Sequence, residues 1–175
     1  MPFAVTHILF PIIVISLFKE ITNKGKKITR RMIIAAGIFG LLPDIDIPVF
    51  LILSQFTSIP ITSVHRTITH SYLIPLIGLI VAAAIYFLLK KNKAYMYALL
   101  FAFGTFTHIT LDLIVNGTIM PFYPIINIKM GFDLLSLIVP NSVLESDIPY
   151  RLTLMASLDA LLLLTWLFQT ERKKR

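Results

Sequence analysis

The sequence predicts an all-α integral membrane protein, organised as one domain over residues 1–175 with about five transmembrane helices. Hydrophobic residues make up 57% of the chain and charged residues 14%, whereas soluble domains have roughly half and about a quarter. A soluble core of this size has no room for that excess, so the apolar side chains belong in lipid. The chain has no cysteine, so a metal would be held by nitrogen and oxygen atoms.

Five apolar runs have about the length of 17–25 residues that a helix needs to cross a bilayer. The first has neither the positive n-region nor the small-residue cleavage site of a signal peptide, so we expect it to remain in the protein. The runs are Phe3–Phe18, Met32–Phe56, Ile68–Leu89, Ala94–Val115 and Leu152–Thr170.

Two prolines predict that the second helix is broken at the motif LPDID, residues 42–46. Pro43 removes a helix hydrogen bond, and Pro48 moves Ile47 away from helical geometry. Non-helical backbone at membrane depth must be buried in protein or line a wet cavity. Asp44 and Asp46 on such a break suit a cation, although an aspartate that caps the next half-helix at a proline kink is also compatible with the motif.

Residues 116–151, between the fourth and fifth runs, contain four prolines, which argue against a continuous helix. We predict an interfacial or re-entrant cap on the outer side of the membrane. Asp133, Glu145 and Asp147 are expected to be solvated there. Asp159, inside the fifth run, needs a partner.

The positive charges predict the orientation. Thirteen of the sixteen lysines and arginines lie on one side of a five-span arrangement, and all but Arg66, Lys129 and Arg151 therefore face the cytoplasm. The N-terminus is then outside and the C-terminus inside, in a plasma membrane. Because the formal charge of +7 is explained by these topology signals, we expect no nucleic-acid partner.

All four histidines lie in or beside apolar runs. At about 1.5 Å of rise per residue, His7, Asp44 and His108 lie roughly 18–22 Å above the nearest cytoplasmic charges. His70 and Asp112 lie roughly 28–30 Å above them, near the outer face. Four spans thus place ligand-type residues in one leaflet, which predicts a functional site.

Two motifs carry most of this chemistry. His108 and Asp112 share a helix face and can share a metal, although Asp112 could instead orient the ring or form a simple buried pair with it. In HRTITHS, residues 65–71, we expect His65 in a loop and His70 in the first turn of the third helix, which Thr67 or Thr69 would cap.

Two further residues are ambiguous when taken alone. The Arg66 guanidinium suits a phosphate, either at a reacting centre or on an interfacial lipid headgroup. His7 is compatible with an ordinary packed histidine.

The dipeptide TH at residues 6–7, LPDID, HRTITHS, and HITLD followed by NGTIMPF together resemble the membrane-bound metal-dependent hydrolase family, the LexA-regulated, YdjM-like inner-membrane proteins. The resemblance covers about residues 6–122 and implies a polytopic membrane protein with metal-dependent hydrolase activity. A more distant similarity links the chain to zinc-dependent phospholipases C and single-strand nucleases. Their order of His, Asp, His and H-x-x-x-D is met by His7, Asp44 or Asp46, His65 or His70, and His108 with Asp112. Those enzymes also use an N-terminal amine and a further histidine with a glutamate, and no histidine follows His108 here.

Our first hypothesis is a hydrolase that cleaves a phosphoester of a lipid or lipid-linked substrate at the outer leaflet. One or two divalent metals, Zn²⁺ or alternatively Mn²⁺ or Fe²⁺, would activate water. Asp46, with Asp44, would accept the proton, and Arg66 would stabilise charge on the substrate. The expected metal ligands are His7, Asp44, Asp46, His65, His70, His108 and Asp112.

Two alternatives remain open from the sequence. Intramembrane histidines and aspartates also form ion pathways and proton relays. The same residues could also build a structural metal site that holds short helices together and supports no turnover.

Overall fold

The computed structural model describes residues 4–22, 27–58, 60–61, 64–90, 92–115, 118–140 and 148–172. Within these ranges the regular structure is helical, apart from one isolated antiparallel bridge between Ile119 and Met130. The all-α prediction is confirmed. The helices are α1 (Ala4–Ile21), α2 (Arg30–Leu41), α3 (Asp46–Leu53), α4 (Leu73–Ala84), α5 (Asn92–Val115), α6 (Leu134–Ile138) and α7 (Ile148–Arg172).

Four helices are long and apolar enough to cross a membrane: α1, the continuous stretch Arg30–Leu53, residues Lys93–Val115 of α5, and α7. The third predicted span is shorter than the sequence indicates. Its first residues form a single 3-10 turn, Ile68–His70, and α4 with its π-helical extension Ile85–Leu89 covers only Leu73–Leu89. Seventeen residues of helix reach about 26 Å, somewhat less than the hydrocarbon thickness of about 30 Å.

The predicted break at LPDID is a tightening of the helix. Residues Leu42–Ile45 form a 3-10 segment that joins α2 to α3, with Pro43 in its first turn. A proline is tolerated there because its missing N–H has no partner at a helix start. No side-chain capping bond is made at the start of this segment or of α3, so the capping role considered for the aspartates is wrong.

Helices α2 and α5 form the centre of the bundle. Helix α1 packs on α2 and α5, α4 packs on α5, and α7 packs on α1. Glycines allow the closest approaches: a Cβ on Gly40 would lie 2.3 Å from the His7 carbonyl oxygen, and one on Gly104 would lie 2.8 Å from that of Ala36. Small residues at crossings are typical of membrane helices, where packing rather than water drives association.

The distribution of side chains is that of a protein in lipid. Large apolar side chains such as Ile38, Leu79 and Leu164 face outward, whereas His7, His108 and other polar residues are buried. This arrangement places the ionisable groups where only other protein groups can stabilise them.

Residues 118–140 fold back over the end of α4 and α5. Ile119 and Met130 exchange backbone hydrogen bonds of 3.0 and 2.8 Å, and the Pro121 carbonyl accepts bonds from the Tyr72 N–H and the Ser71 hydroxyl. The segment is mostly non-helical, as its prolines predict.

The three acidic residues predicted to be solvated in this segment do not behave alike. Asp133 is half-buried, because its backbone is left-handed at the start of α6, so that prediction is wrong. Glu145 and Asp147 lie outside the described residues.

Candidate metal centre

Four separate parts of the chain meet at one buried cluster. Helix α1 brings His7, the 3-10 segment and α3 bring Asp44 and Asp46, the turn before α4 brings His65 and His70, and α5 brings His108 and Asp112. His7, His70, His108 and Asp112 are at most 1% exposed. All seven residues predicted as ligands therefore lie together, although they are up to about a hundred positions apart in the chain.

Four of their atoms form a small cage. The Nε2 atoms of His70 and His108 are 3.2 Å apart. Asp44 Oδ1 is 3.4 and 3.5 Å from these two nitrogens, and Asp112 Oδ2 is 3.5 and 3.9 Å from them. Four ligands at 2.0–2.1 Å from a tetrahedral Zn²⁺ are separated by about 3.3 Å, so the cage has the dimensions of such a site.

The polar atoms of the cluster lack other partners. Among the described residues, Asp44 Oδ1 and both carboxylate oxygens of Asp112 are buried without a hydrogen bond. A buried carboxylate without a partner is strongly unfavourable, and native proteins rarely leave one. A divalent cation within the cage would satisfy these oxygens, so the residues fit a metal.

The orientation of His108 is set by a backbone carbonyl. His108 Nδ1 lies 2.7 Å from the Gly40 oxygen, and a carbonyl only accepts, so Nδ1 carries the proton. The lone pair of Nε2 then faces the cage, as metal-ligating histidines require. Gly40, rather than Asp112, holds the ring, which leaves Asp112 free to share a cation with His108.

A second set of contacts orients His65 and His70. Asp46 accepts hydrogen bonds from His65 Nδ1 at 2.9 Å and from the Thr69 hydroxyl at 2.6 Å. Because the Thr69 proton points to Asp46, its oxygen accepts from His70 Nδ1 at 3.0 Å. Both rings thus keep Nε2 unprotonated. Asp46, expected as a ligand and a base, has both oxygens engaged in positioning the two histidines.

These contacts also correct the predicted cap of the third helix. Thr69 bonds to Asp46, and Thr67 donates to the Val64 carbonyl, so neither caps a helix. The hydroxyl of Ser71 accepts from the Leu73 N–H at 3.3 Å instead. As predicted, His65 lies in a turn, but His70 lies in the 3-10 turn before α4 rather than in its first turn.

Two further imidazoles widen the donor set. His7 stacks on His108 with 3.8 Å between ring centroids, and its Nε2 is 3.4 Å from Asp112 Oδ1. Neither ring nitrogen of His7, nor Nε2 of His65, has a hydrogen-bond partner in the described part of the chain. The groups His7–His108–Asp112 and Asp44–His65–His70 each have ligand atoms within 4.8 Å of one another. The cluster therefore has donors for one or two ions.

Arg66 and Asp159 lie at the edges of the cluster. Arg66 is half-buried and left-handed, with a φ of 65°, and within the described ranges it makes no ion pair with the aspartates. Its predicted role with substrate stays a prediction. Asp159 accepts a hydrogen bond from the Thr6 hydroxyl, so α7 is tied to α1 one residue from His7.

Sequence reasoning did not identify Gly40 as the group that orients His108, nor Thr69 as the link between Asp46 and His70. The Thr69 link had a local signal, since the threonine directly precedes His70. The Gly40 contact joins residues 68 positions apart, and only the helix crossing reveals it.

Replacement of Thr69 by valine is expected to weaken metal binding by about 10–100-fold, because loss of a group that orients a ligand typically has this effect. Valine keeps the shape but removes the bridge between Asp46 and His70. Titration of metal-free protein with Zn²⁺ measures the change. Thr67→Val is the matched control, because the Thr67 hydroxyl contacts only the Val64 carbonyl. Equal affinities of the two variants would contradict the positioning role.

Comparison with known proteins gives one family. The sequence model of the family described as YdjM inner membrane protein matches residues 1–171. No curated protein and no solved structure matches the chain.

Proposed function

The chain belongs to the YdjM inner membrane protein family, and we propose that it is a metal-dependent hydrolase embedded in the membrane. Its substrate would be the phosphoester of a lipid or lipid-linked molecule, reached from the outer leaflet. The observation that carries the proposal is the cage formed by Asp44, His70, His108 and Asp112, whose buried oxygens lack other partners.

These four residues would hold one divalent cation, with Zn²⁺ the best fit to the edges of the cage and Mn²⁺ or Fe²⁺ as alternatives. His7 and His65 offer nitrogen donors for a second ion. When bound, the metal would polarise the phosphoryl oxygen and activate a water molecule.

The pair of His65 and Asp46 is suited to move the proton. Asp46 fixes the proton of His65 on Nδ1, so Nε2 can take a proton from the attacking water. The carboxylate then stabilises the imidazolium, as in other His–Asp pairs. We therefore assign the acceptor role, first given to Asp46 itself, to His65 with Asp46 as its positioning residue. Arg66, next in the chain, would neutralise charge on the phosphate.

Access to the cluster is from one side. The side chains of Asp44 and His65 are 14% and 12% exposed, whereas those of His7, His70, His108 and Asp112 are fully buried. A closed structural site has no need of such an opening. A headgroup could enter at this edge while its acyl chains stay in the bilayer.

The proposal is tested with detergent-purified protein, added Zn²⁺ or Mn²⁺, and a panel of phospholipids and polyprenyl phosphates. Wild type should release a phosphate product. Asp44→Ala and His108→Ala should each reduce turnover to the uncatalysed level, because each removes a cage donor. Thr67→Val should retain activity, and membrane fractionation should show that all variants insert. Turnover in both alanine variants would exclude the proposed centre.

One observation favours a second function. Asp44 lies on a 3-10 segment inside an apolar helix, and interrupted helices that carry ionisable groups occur in transporters. A proton or metal relay is therefore the alternative. Flux of Zn²⁺ or protons into protein-containing liposomes, absent with Asp44→Ala, would support transport, and its absence alongside hydrolysis would support the enzyme.

A further inference from the structure

A second cavity lies at the opposite end of α1 from the histidine cluster. It has a volume of about 560 Å³ and is bounded by α1, the start of α2 and the end of α7. Lys19, at its rim, is twelve residues from His7, which corresponds to about 18 Å along the helix. The cavity therefore shares no residue with the candidate metal centre and plays no part in the proposed reaction.

The cavity is apolar inside and basic at its rim. Ile12, Ile33 and Trp166 contribute hydrocarbon and aromatic surface, and Lys19 and Arg30 contribute cationic groups. Glu20, the one carboxylate among the lining residues, is engaged in an interaction of its own. Two cations against one carboxylate leave a net positive rim. An apolar slot with a basic mouth matches a molecule that has both a hydrocarbon chain and an anionic headgroup.

The position of the cavity also favours an occupant from the bilayer. Helix α7 is the least buried of the four long apolar helices, and it packs on α1 alone of the long helices. The space between α7 and α2 would otherwise leave apolar side chains without packing partners, which loses dispersion energy. A tryptophan and basic residues at the end of membrane helices are the usual contacts of lipid headgroups.

We propose that this cavity binds one anionic phospholipid, with an acyl chain between α2 and α7 and its phosphate at Lys19 and Arg30. The guanidinium of Arg30 can form paired hydrogen bonds with the phosphate oxygens, and the Lys19 ammonium adds a point charge. The lipid would fill the cleft beside α7 and attach that helix more firmly to the bundle.

The chain contains a single tryptophan, and it lines the cavity, so its fluorescence reports directly on the occupant. The full chain is reconstituted in nanodiscs with equal fractions of phosphatidylglycerol or phosphatidylcholine brominated on the acyl chain. Wild type should show stronger quenching of Trp166 by the brominated anionic lipid. Near a membrane surface each cationic side chain contributes roughly a fivefold preference, so Lys19→Gln and Arg30→Gln should each weaken the preference and the double variant should abolish it.

Lys93→Gln is the matched control, because Lys93 is another exposed lysine at a helix start but does not line the cavity. It should keep the wild-type preference. Equal quenching by both lipids in wild type would mean contact with bulk lipid only and would overturn the proposal. A preference that survives in the double variant would overturn it too. Native mass spectrometry of wild type, which needs no variant, should show one retained anionic lipid, and a lipid-free protein would count against the site.

Discussion

Replacing both His70 and His108 by alanine is expected to remove bound divalent metal from the purified protein. Their Nε2 atoms are 3.2 Å apart and supply the two nitrogen donors of the cage. The remaining carboxylates of Asp44 and Asp112 would then face each other at the same buried point without the neutral donors that complete the coordination. Elemental mass spectrometry of detergent-purified wild type and double variant, before and after addition of Zn²⁺ or Mn²⁺, measures the metal content.

Thr110→Val is a suitable control, because Thr110 lies on α5 two residues from His108 and its hydroxyl donates to the Phe106 carbonyl. It should bind as much metal as wild type. Metal retained by the double variant would place the ligands elsewhere. Wild type without metal, even after addition of both ions, would remove the hydrolase proposal and leave the proton or ion relay as the better account of the four histidines.

Gly40→Ala is expected to disrupt both the helix packing and the metal centre, although it adds only one methyl group. The new Cβ would lie 2.3 Å from the His7 carbonyl oxygen and 3.0 Å from Pro11 Cγ. Backbone atoms on α1 cannot yield unless the two helices separate. We expect a loss of about 1–3 kcal/mol in stability, the usual range for overpacked interiors. Metal affinity should fall as well, because the Gly40 carbonyl orients His108 and α1 carries His7.

The control for this substitution is Gly131→Ala. Gly131 is exposed, and its backbone is not left-handed, so alanine is compatible with its conformation. Thermal unfolding in detergent, followed by the loss of the monodisperse peak in size-exclusion chromatography, compares the two variants. Wild-type stability and metal content in Gly40→Ala would show that α1 and α2 can move apart at no cost, contrary to the close approach at this crossing.

Much of the fold was accessible from the sequence. Hydropathy located α1, α5 and α7 and the helical stretch from Arg30 to Leu53, because spanning a bilayer demands long apolar helices whatever their neighbours. The start of α4 was placed too early. The apolar run begins at Ile68, but the contacts of Thr69 with Asp46 and of Tyr72 with Pro121 hold this stretch in a turn. Hydropathy does not register such contacts.

The membership of the candidate site was also accessible, since ionisable residues within apolar helices must converge to be stabilised. All seven proposed ligands do lie together. The division of labour among them was not accessible. Asp44 and Asp46 are two residues apart in one motif, yet one faces the cage and the other positions His65 and His70.

Composition and the spacing of apolar and ionisable residues were therefore sufficient for the membrane fold and for the histidine–aspartate cluster, because both follow from the cost of placing polar groups in hydrocarbon. The tertiary structure decided which nitrogen of each imidazole faces the cage, which carboxylate binds and which one orients, and how closely α1 approaches α2. These properties depend on atoms of Gly40, Thr69 and His7 that meet only where helices cross, and distances of a few tenths of an ångström between such atoms are not encoded in any local stretch of the chain.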